Sequence, residues 1–283
     1  MPFLARDSVE LYYEELGSGS PPVVLIHGMC CDARHMNPLA AHFASGHRVI
    51  APDLRGHGRS AAPVGDYTIE GFAVDIAWLC GELGLVSPVV IGHSMGGAIA
   101  LEVTARHPDL VGAIVLLDSA VLPAPDAWAR ARPVLEALGT DEADRVFRDF
   151  LDRSFFRPDD RSSLKDSVIA DMLAAPAHVR DSVFANVTCW DSDAAAGGCQ
   201  VPVLYIGATR PRANVPRFRE LAPQLVFAQV VCSGHFVQLE VPEQVNAMVE
   251  RFLTVSAVPD GATLSDQPSS RSSGTGNGSR SAA

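Results

Sequence analysis

The first half of the chain alternates short apolar runs with longer segments in which apolar residues recur every three to four positions. The runs PPVVLIHG, HRVIAPDLRG, PVVIG and LVGAIVLLD are continuous, which is typical of parallel strands buried on both faces. Residues 69–83 and 95–107 instead have one apolar face at helical spacing, so each predicts an amphipathic helix. This order predicts a mostly parallel, doubly wound sheet of about eight strands with helices on both faces.

The alternation stops after LVGAIVLLD and returns about eighty residues later. Residues 121–198 read as short helices with many charges and scattered prolines, and the strand pattern then resumes with VPVLYIG and LVFAQVV. A last helix is predicted over residues 242–255. We therefore predict an α/β core of residues 1–120 and 199–256, with residues 121–198 inserted as a helical domain. Near the N-terminus, VELYYEEL predicts an edge strand.

Composition narrows the class of protein further. The chain has 283 residues, of which 47% are hydrophobic, so it can bury a large core. The formal net charge of −11 argues against nucleic acid or an anionic membrane surface as a partner. Residues 257–283 are rich in Ser and Gly and are predicted to be disordered.

Targeting and metal-binding patterns are not visible in the sequence. The N-terminus lacks the pattern of a signal peptide, and no apolar run is long enough for a membrane span. The six cysteines show no metal-ligand spacing. We therefore expect a cytoplasmic protein without a metal or other cofactor, acting on a small-molecule substrate. The oligomeric state stays open.

The segment GHSMG, at residues 92–96, has the form G-x-S-x-G and lies between a predicted strand and a predicted helix. In that context the turn is sharp and holds the serine hydroxyl exposed above the end of the sheet. The N-terminus of the following helix directs N–H groups to the same place. Ser94 is therefore predicted to be a nucleophile; the alternative is a small residue in a tight turn.

A nucleophilic serine needs a base and donors for the developing oxyanion. His235 follows the last predicted strand, and loops at the carboxyl ends of parallel strands gather around one crevice. The backbone N–H groups of Met29 and Met95 are the candidate oxyanion donors. Three further residues are candidates for substrate contact, each with packing as its alternative role: Cys30, His93 and Trp190.

Four motifs in order give the chain its resemblance to a known family. They are HG at residues 27–28, PDLRGHGRS at 52–60, GHSMGG at 92–97 and GH at 234–235. With these the chain resembles the single-cap proteins of the α/β-hydrolase fold over residues 9–255. The resemblance implies that residues 121–198 form a helical cap over the substrate pocket. It also implies attack by Ser94 Oγ, with His235 as general base and then acid, through an acyl-enzyme.

The third member of the triad departs from the commonest pattern of that family. Most members carry the acid after strand seven as G-x-x-D, whereas here the segment is IGATRPRANVPRFRE. Arg210 occupies the expected place, and no carboxylate appears before Glu220. A minority of the family, including haloalkane dehalogenases and some lactonases, carries the acid after strand six, where this chain has Asp118. We predict that Asp118 completes the triad. It could instead cap the start of the insertion, and Asp191 and Asp193 are weaker alternatives.

These residues favour a serine hydrolase that cleaves a carboxylic ester or lactone. A serine nucleophile argues against haloalkane dehalogenation and epoxide hydrolysis, which use an aspartate in this fold. An acid after strand six argues against the carbon–carbon hydrolases and haloperoxidases of the fold. The alternative is a cofactor-independent dioxygenase, in which His235 and Asp118 deprotonate a hydroxylated heteroaromatic for attack by O₂. A ligand-binding module without catalysis is the third hypothesis, because the fold alone does not define function.

Overall fold

The described residues form one eight-stranded sheet. The computed structural model describes residues 2–6, 9–123 and 127–256, so the predicted disordered segment 257–283 lies outside them. The strands are β1 (Phe3–Arg6), β2 (Val9–Leu16), β3 (Val23–Ile26), β4 (Val49–Pro52), β5 (Val89–His93), β6 (Ala113–Leu117), β7 (Val203–Gly207) and β8 (Leu225–Gln229). Their order across the sheet is β1-β2-β4-β3-β5-β6-β7-β8.

All pairings from β4 to β8 along this order are parallel, which confirms the predicted α/β sheet. The two remaining pairings, β1 with β2 and β2 with β4, are antiparallel. The prediction that VELYYEEL is an edge strand is wrong, because β1 pairs with its outer side. The four residues of β1 alternate between exposed and half-buried positions and so carry little apolar signal of their own.

Helices connect the described strands from β3 to β8. They are α1 (Asn37–Phe43), α2 (Ile69–Glu82), α3 (Met95–Arg106), α4 (Ala127–Ala137), α5 (Ala143–Phe155), α6 (Ser162–Leu173), α7 (Ala177–Val187), α8 (Ser192–Gly198), α9 (Val215–Leu221), α10 (Val237–Glu240) and α11 (Pro242–Val255), with a 3₁₀ turn at Ala33–Met36. None of the helices in the described part of the chain is both long and apolar enough to cross a bilayer.

The two faces of the sheet have separate apolar cores. In β3, Val24 and Ile26 pack in the core that includes α2 and α3, whereas Val23 and Leu25 pack in the core that includes α1 and α11. All four side chains of β3 are fully buried. Burial on both faces explains why the parallel strands read as continuous apolar runs.

The segment between β6 and β7 is helical and packs over the loops at the carboxyl ends of the strands. Its α5 and α6 form a third apolar core with Cys30, from the loop after β3, and Phe236, from the loop after β8. The backbone N–H of His235 donates to the carbonyl of Phe155 at 2.7 Å. These contacts hold the end of α5 directly against the loop that carries His235. The division into a core and a separate inserted domain stays a prediction.

Candidate active site

Ser94 occupies a strained turn between β5 and α3. Its backbone has φ +53° and ψ −117°, a conformation that non-glycine residues rarely adopt and that functional sites often retain. The turn is tight on both sides of the serine. A Cβ on Gly96 would lie 2.2 Å from the carbonyl oxygen of Ile26, and one on Gly92 would lie 2.1 Å from that of Gly96. The glycines of the motif are therefore required by close backbone approach.

The structure brings Ser94, His235 and Asp118 together at the carboxyl ends of β5, β8 and β6. The Ser94 Oγ lies 2.9 Å from His235 Nε2, and His235 Nδ1 lies 2.8 Å from Asp118 Oδ2. The other carboxylate oxygen of Asp118 accepts from the backbone N–H of Ala208, after β7, at 3.1 Å. His235 and Asp118 are buried, whereas Ser94 is half-buried. A continuous hydrogen-bond chain thus links the acid to the serine hydroxyl.

The side chain of Arg212, from the loop after β7, lies against this chain. Its Nε is 3.0 Å from His235 Nδ1 and 3.5 Å from Asp118 Oδ2. One Nη donates to the carbonyl of Ser154 at 2.5 Å, and the guanidinium lies 4.6 Å from the centre of the Phe155 ring. Arg212 therefore connects the helical segment between β6 and β7 to the imidazole.

His235 Nδ1 cannot serve both neighbours in the same tautomer. If Nδ1 carries the proton, it donates to Asp118, Nε2 is left as a base, and Arg212 can only interact with the carboxylate. If Nδ1 lacks the proton, it accepts from Arg212, and Nε2 then carries a proton and cannot act as the base. The Asp118 carboxylate favours the first arrangement, which is the one that can deprotonate Ser94.

Burial shifts the pKa values of His235 and Asp118 in opposite directions. Burial, followed by the nearby Arg212, lowers the pKa of His235 well below its usual value. Burial also raises the pKa of Asp118, and Arg212 acts to lower it. His235 is therefore neutral at pH 7, as a general base has to be.

The predicted oxyanion donors lie beside the serine. A Cβ on Gly28 would be 3.3 Å from the Ser94 Cβ, so the loop after β3 contacts the nucleophile turn. Neither the N–H of Met29 nor that of Met95 has a hydrogen-bond acceptor among the described residues. These two donors are therefore available to a negatively charged oxygen bound next to Ser94.

A cavity of about 410 Å³ opens onto Ser94. Among the described residues, its wall consists of Met29, Ser94, Met95, Ala98, Ala120, Pro123, Arg130, Ala131, Phe150, Arg153, Ser154, Phe155, Phe184, Val187, Trp190, Arg210, Pro211, Arg212 and Ala213. Trp190 is thus in the wall, and its Nε1 donates to Glu102 at 2.8 Å. The size is within the usual range for small-molecule sites.

Two of the predicted substrate-contact residues are absent from the described wall of this cavity. The Cys30 side chain is buried in the third apolar core, and burial raises the pKa of its thiol to about 12. The His93 Nε2 lies 3.0 Å from the carbonyl oxygen of His235, which it helps to hold. The structure therefore gives both residues packing contacts.

The two weaker candidates for the acid have other partners. Asp191 caps α8 by accepting from the N–H of Ala194 at 3.0 Å. Asp193 forms an ion pair with Arg217 at 2.8 Å on the surface. Neither carboxylate hydrogen-bonds to His235 in the described structure. Sequence reasoning noted the arginine that replaces the acid after β7 but missed that Arg210, Arg212 and Arg153 would meet in the cavity wall.

A mostly parallel sheet with a serine at a strand-to-helix turn, followed by an acid and a histidine on later loops, defines the α/β-hydrolase class. The family model for the alpha/beta hydrolase fold matches residues 21–157. The chain therefore has the α/β-hydrolase fold.

Similar proteins and solved structures include a lipase, an esterase and lactonases. Lipase LipV of Mycobacterium tuberculosis is 41% identical over 133 residues, which cover 46% of this chain and 48% of that protein. The match thus spans about half the length of this relative. The enol-lactonase of Burkholderia xenovorans is 25% identical with a TM-score of 0.75, covering 89% of this chain and all of that one. A thermophilic esterase from Thermogutta terrifontis is also 25% identical, with a TM-score of 0.76 over 87% of this chain and 93% of that one.

Proposed function

We propose that the protein is a serine hydrolase that cleaves a carboxylic ester or lactone through an acyl-enzyme. The observation that carries this proposal is the hydrogen-bond chain from Asp118 through His235 to Ser94, at 2.8 and 2.9 Å, beside a cavity. The similarity to a lipase, an esterase and an enol-lactonase supports the same class of reaction.

In the first half-reaction, Ser94 Oγ attacks the acyl carbon while its proton passes to His235 Nε2. Asp118 accepts from Nδ1–H and stabilises the imidazolium that forms. The N–H groups of Met29 and Met95 hold the oxyanion, and each such donor contributes about 3 kcal/mol to lowering the barrier. The bond to the alcohol oxygen then breaks, and His235 returns the proton to that oxygen.

The second half-reaction repeats these steps with water. His235 Nε2 takes a proton from a water molecule, whose oxygen attacks the acyl carbon bound to Ser94. The ester bond to Oγ breaks, Ser94 regains the proton, and the carboxylic acid leaves. With a lactone the alcohol stays attached to the acyl chain, so one product carries both groups.

Labelling with a fluorophosphonate probe and turnover of short esters and lactones test this proposal together. Ser94→Ala should lose both the label and the turnover. Ser163→Ala is the matched control, because Ser163 is exposed on α6 and forms no described side-chain hydrogen bond. Retained ester turnover in Ser94→Ala would exclude the acyl-enzyme.

The alternative is the cofactor-independent dioxygenase, which the missing acid after β7 and the pairing of His235 with Asp118 also fit. That reaction needs the two residues as a base but does not need the serine. In Ser94→Ala, O₂ consumption with a hydroxylated heteroaromatic would persist. A wild-type protein that takes up the fluorophosphonate and consumes no O₂ argues for the hydrolase.

A further inference from the structure

The cavity that contains Ser94 has a one-sided charge distribution. Four arginines and no carboxylate lie in the wall formed by the described residues. The whole chain is the opposite, with 33 acidic and 22 basic residues. A basic wall on an acidic protein focuses a positive potential at the site where the substrate binds.

Two of these arginines are available to a ligand. Arg153, on α5, and Arg210, after β7, are both exposed, and neither has an ion-pair or hydrogen-bond partner among the described residues. Both also border an adjoining cavity of about 710 Å³ that reaches Asp118 and His235. They therefore lie where the two cavities meet, and Asp118 and His235 line the second of these cavities.

The other two arginines of the wall have a different position. Arg212 is held against Asp118, His235 and Ser154, so it adds positive charge from a fixed position. Arg130 has interactions of its own. The rest of the wall includes apolar side chains, among them Phe150 and Phe184.

We infer that the cavity selects an ester or lactone that carries a free carboxylate in addition to the bond that is cleaved. Arg153 and Arg210 bind that carboxylate, and the apolar wall holds the chain between the two ends. Guanidinium groups are suited to this role because they donate paired, charge-assisted hydrogen bonds to carboxylates. This inference rests on the proposed hydrolase function and names the substrate class for the same site.

A pair of esters that differ only in charge tests the inference. Mono-4-nitrophenyl glutarate has a free carboxylate, whereas 4-nitrophenyl methyl glutarate has a neutral methyl ester in its place. We expect wild-type protein to prefer the anionic ester in kcat/KM. The ratio of the two kcat/KM values should fall at least about tenfold in the double variant Arg153→Gln/Arg210→Gln.

Arg148→Gln is the matched control. Arg148 is an exposed arginine on the same helix as Arg153, and its loss changes the net charge by as much as either single variant, but it is not in the described cavity wall. Its ratio should equal that of the wild type. A drop equal to that of Arg153→Gln or Arg210→Gln would show that the preference reflects overall charge, and the subsite would be refuted. The single variants Arg153→Gln and Arg210→Gln repeat the test if the double variant does not fold.

The outcomes separate this inference from the proposed function. If turnover depends on Ser94 but shows no preference for the anionic ester, the inference is wrong and the hydrolase stands. If neither ester is cleaved and Ser94 takes no label, the hydrolase proposal fails. Calorimetry with glutarate and with neutral glutaramide then tests the carboxylate subsite without any need for turnover. Binding of glutarate that weakens at least about tenfold in the double variant supports the subsite, and its absence in the wild type overturns it.

Discussion

Replacing Asp118 with asparagine tests the geometry of the site most directly. The substitution keeps the size of the side chain and removes its charge. In the protein, this carboxylate is buried, lies 2.8 Å from His235 Nδ1 and lies 3.5 Å from Arg212 Nε. An asparagine amide can present its N–H₂ to Nδ1, which would favour the tautomer in which Nε2 carries the proton and cannot accept from Ser94.

Two effects determine how much activity and stability Asp118→Asn should lose. Loss of the triad acid lowers kcat about 10⁴-fold in serine proteases, equivalent to about 5.4 kcal/mol in the barrier. The charge pair adds to this, because opposite charges 3.5 Å apart interact by about 5 kcal/mol at an effective dielectric constant of about 20. Without the carboxylate, Arg212 opposes the imidazolium with nothing to offset it. We expect a 10³- to 10⁵-fold loss in kcat and a loss of about 3–5 kcal/mol in the free energy of unfolding.

The assay combines ester turnover, the rate of fluorophosphonate labelling and urea unfolding. Asp193→Asn is the control, because its ion pair with Arg217 is exposed to solvent and contributes little to stability. The double variant Asp118→Asn/Arg212→Gln removes both buried charges and should recover part of the lost stability but not the turnover. Asp118→Asn with activity within tenfold of the wild type, or a large loss in Asp193→Asn, would refute the assignment of the acid.

Three further predictions concern pH and packing. Because burial and Arg212 lower the pKa of His235, kcat/KM should fall with pH only below about 6.5. Arg212→Gln should move this acid limb to higher pH; an unmoved limb contradicts the effect of Arg212. Burial lowers the pKa of His27 to about 4, so the unfolded chain binds more protons than the folded one as pH falls below 6.5. His27 should therefore lower the free energy of unfolding by about 3 kcal/mol at pH 4, as measured by urea unfolding. The variant His27→Gln should lack this effect. Gly96→Ala should lower Tm sharply because its Cβ would meet a backbone carbonyl, whereas Gly81→Ala, with open space in α2, should raise it slightly.

The sequence predicted the positions of the reacting groups because the geometry of a parallel sheet is simple. The carboxyl ends of β5, β6 and β8 lie at one edge, so residues directly after those strands have to be near one another. Ser94 was marked by its strand-to-helix context, and His235 by its place after the last strand. Asp118 was chosen by resemblance, after the usual place for the acid proved to hold an arginine.

The sequence could not predict where the side chains after β7 point, or where a strand with little apolar pattern lies. The sequence showed that the loop after β7 lacks an acid, but not that Arg212 folds back against His235 while Arg210 faces the cavity. The direction of Arg212 depends on contacts with Ser154 and Phe155, which lie more than fifty residues away along the chain. The short strand β1 was not predicted. Its residues show little apolar pattern, and it is defined as a strand by its pairing with β2.

An acid after β6 and arginines after β7 have a joint consequence for the chemistry. A cation 3.0 Å from Nδ1 disfavours the imidazolium that forms in the transition state, and Asp118 offsets that effect for Arg212 alone. Arg153 and Arg210, which line the cavity that His235 also lines, have no carboxylate partner among the described residues. A substrate carboxylate bound between them would supply the missing negative charge as His235 takes its proton. A carboxylate-bearing ester should therefore have a higher kcat than its neutral analogue as well as a lower KM. Binding contacts alone would lower only KM.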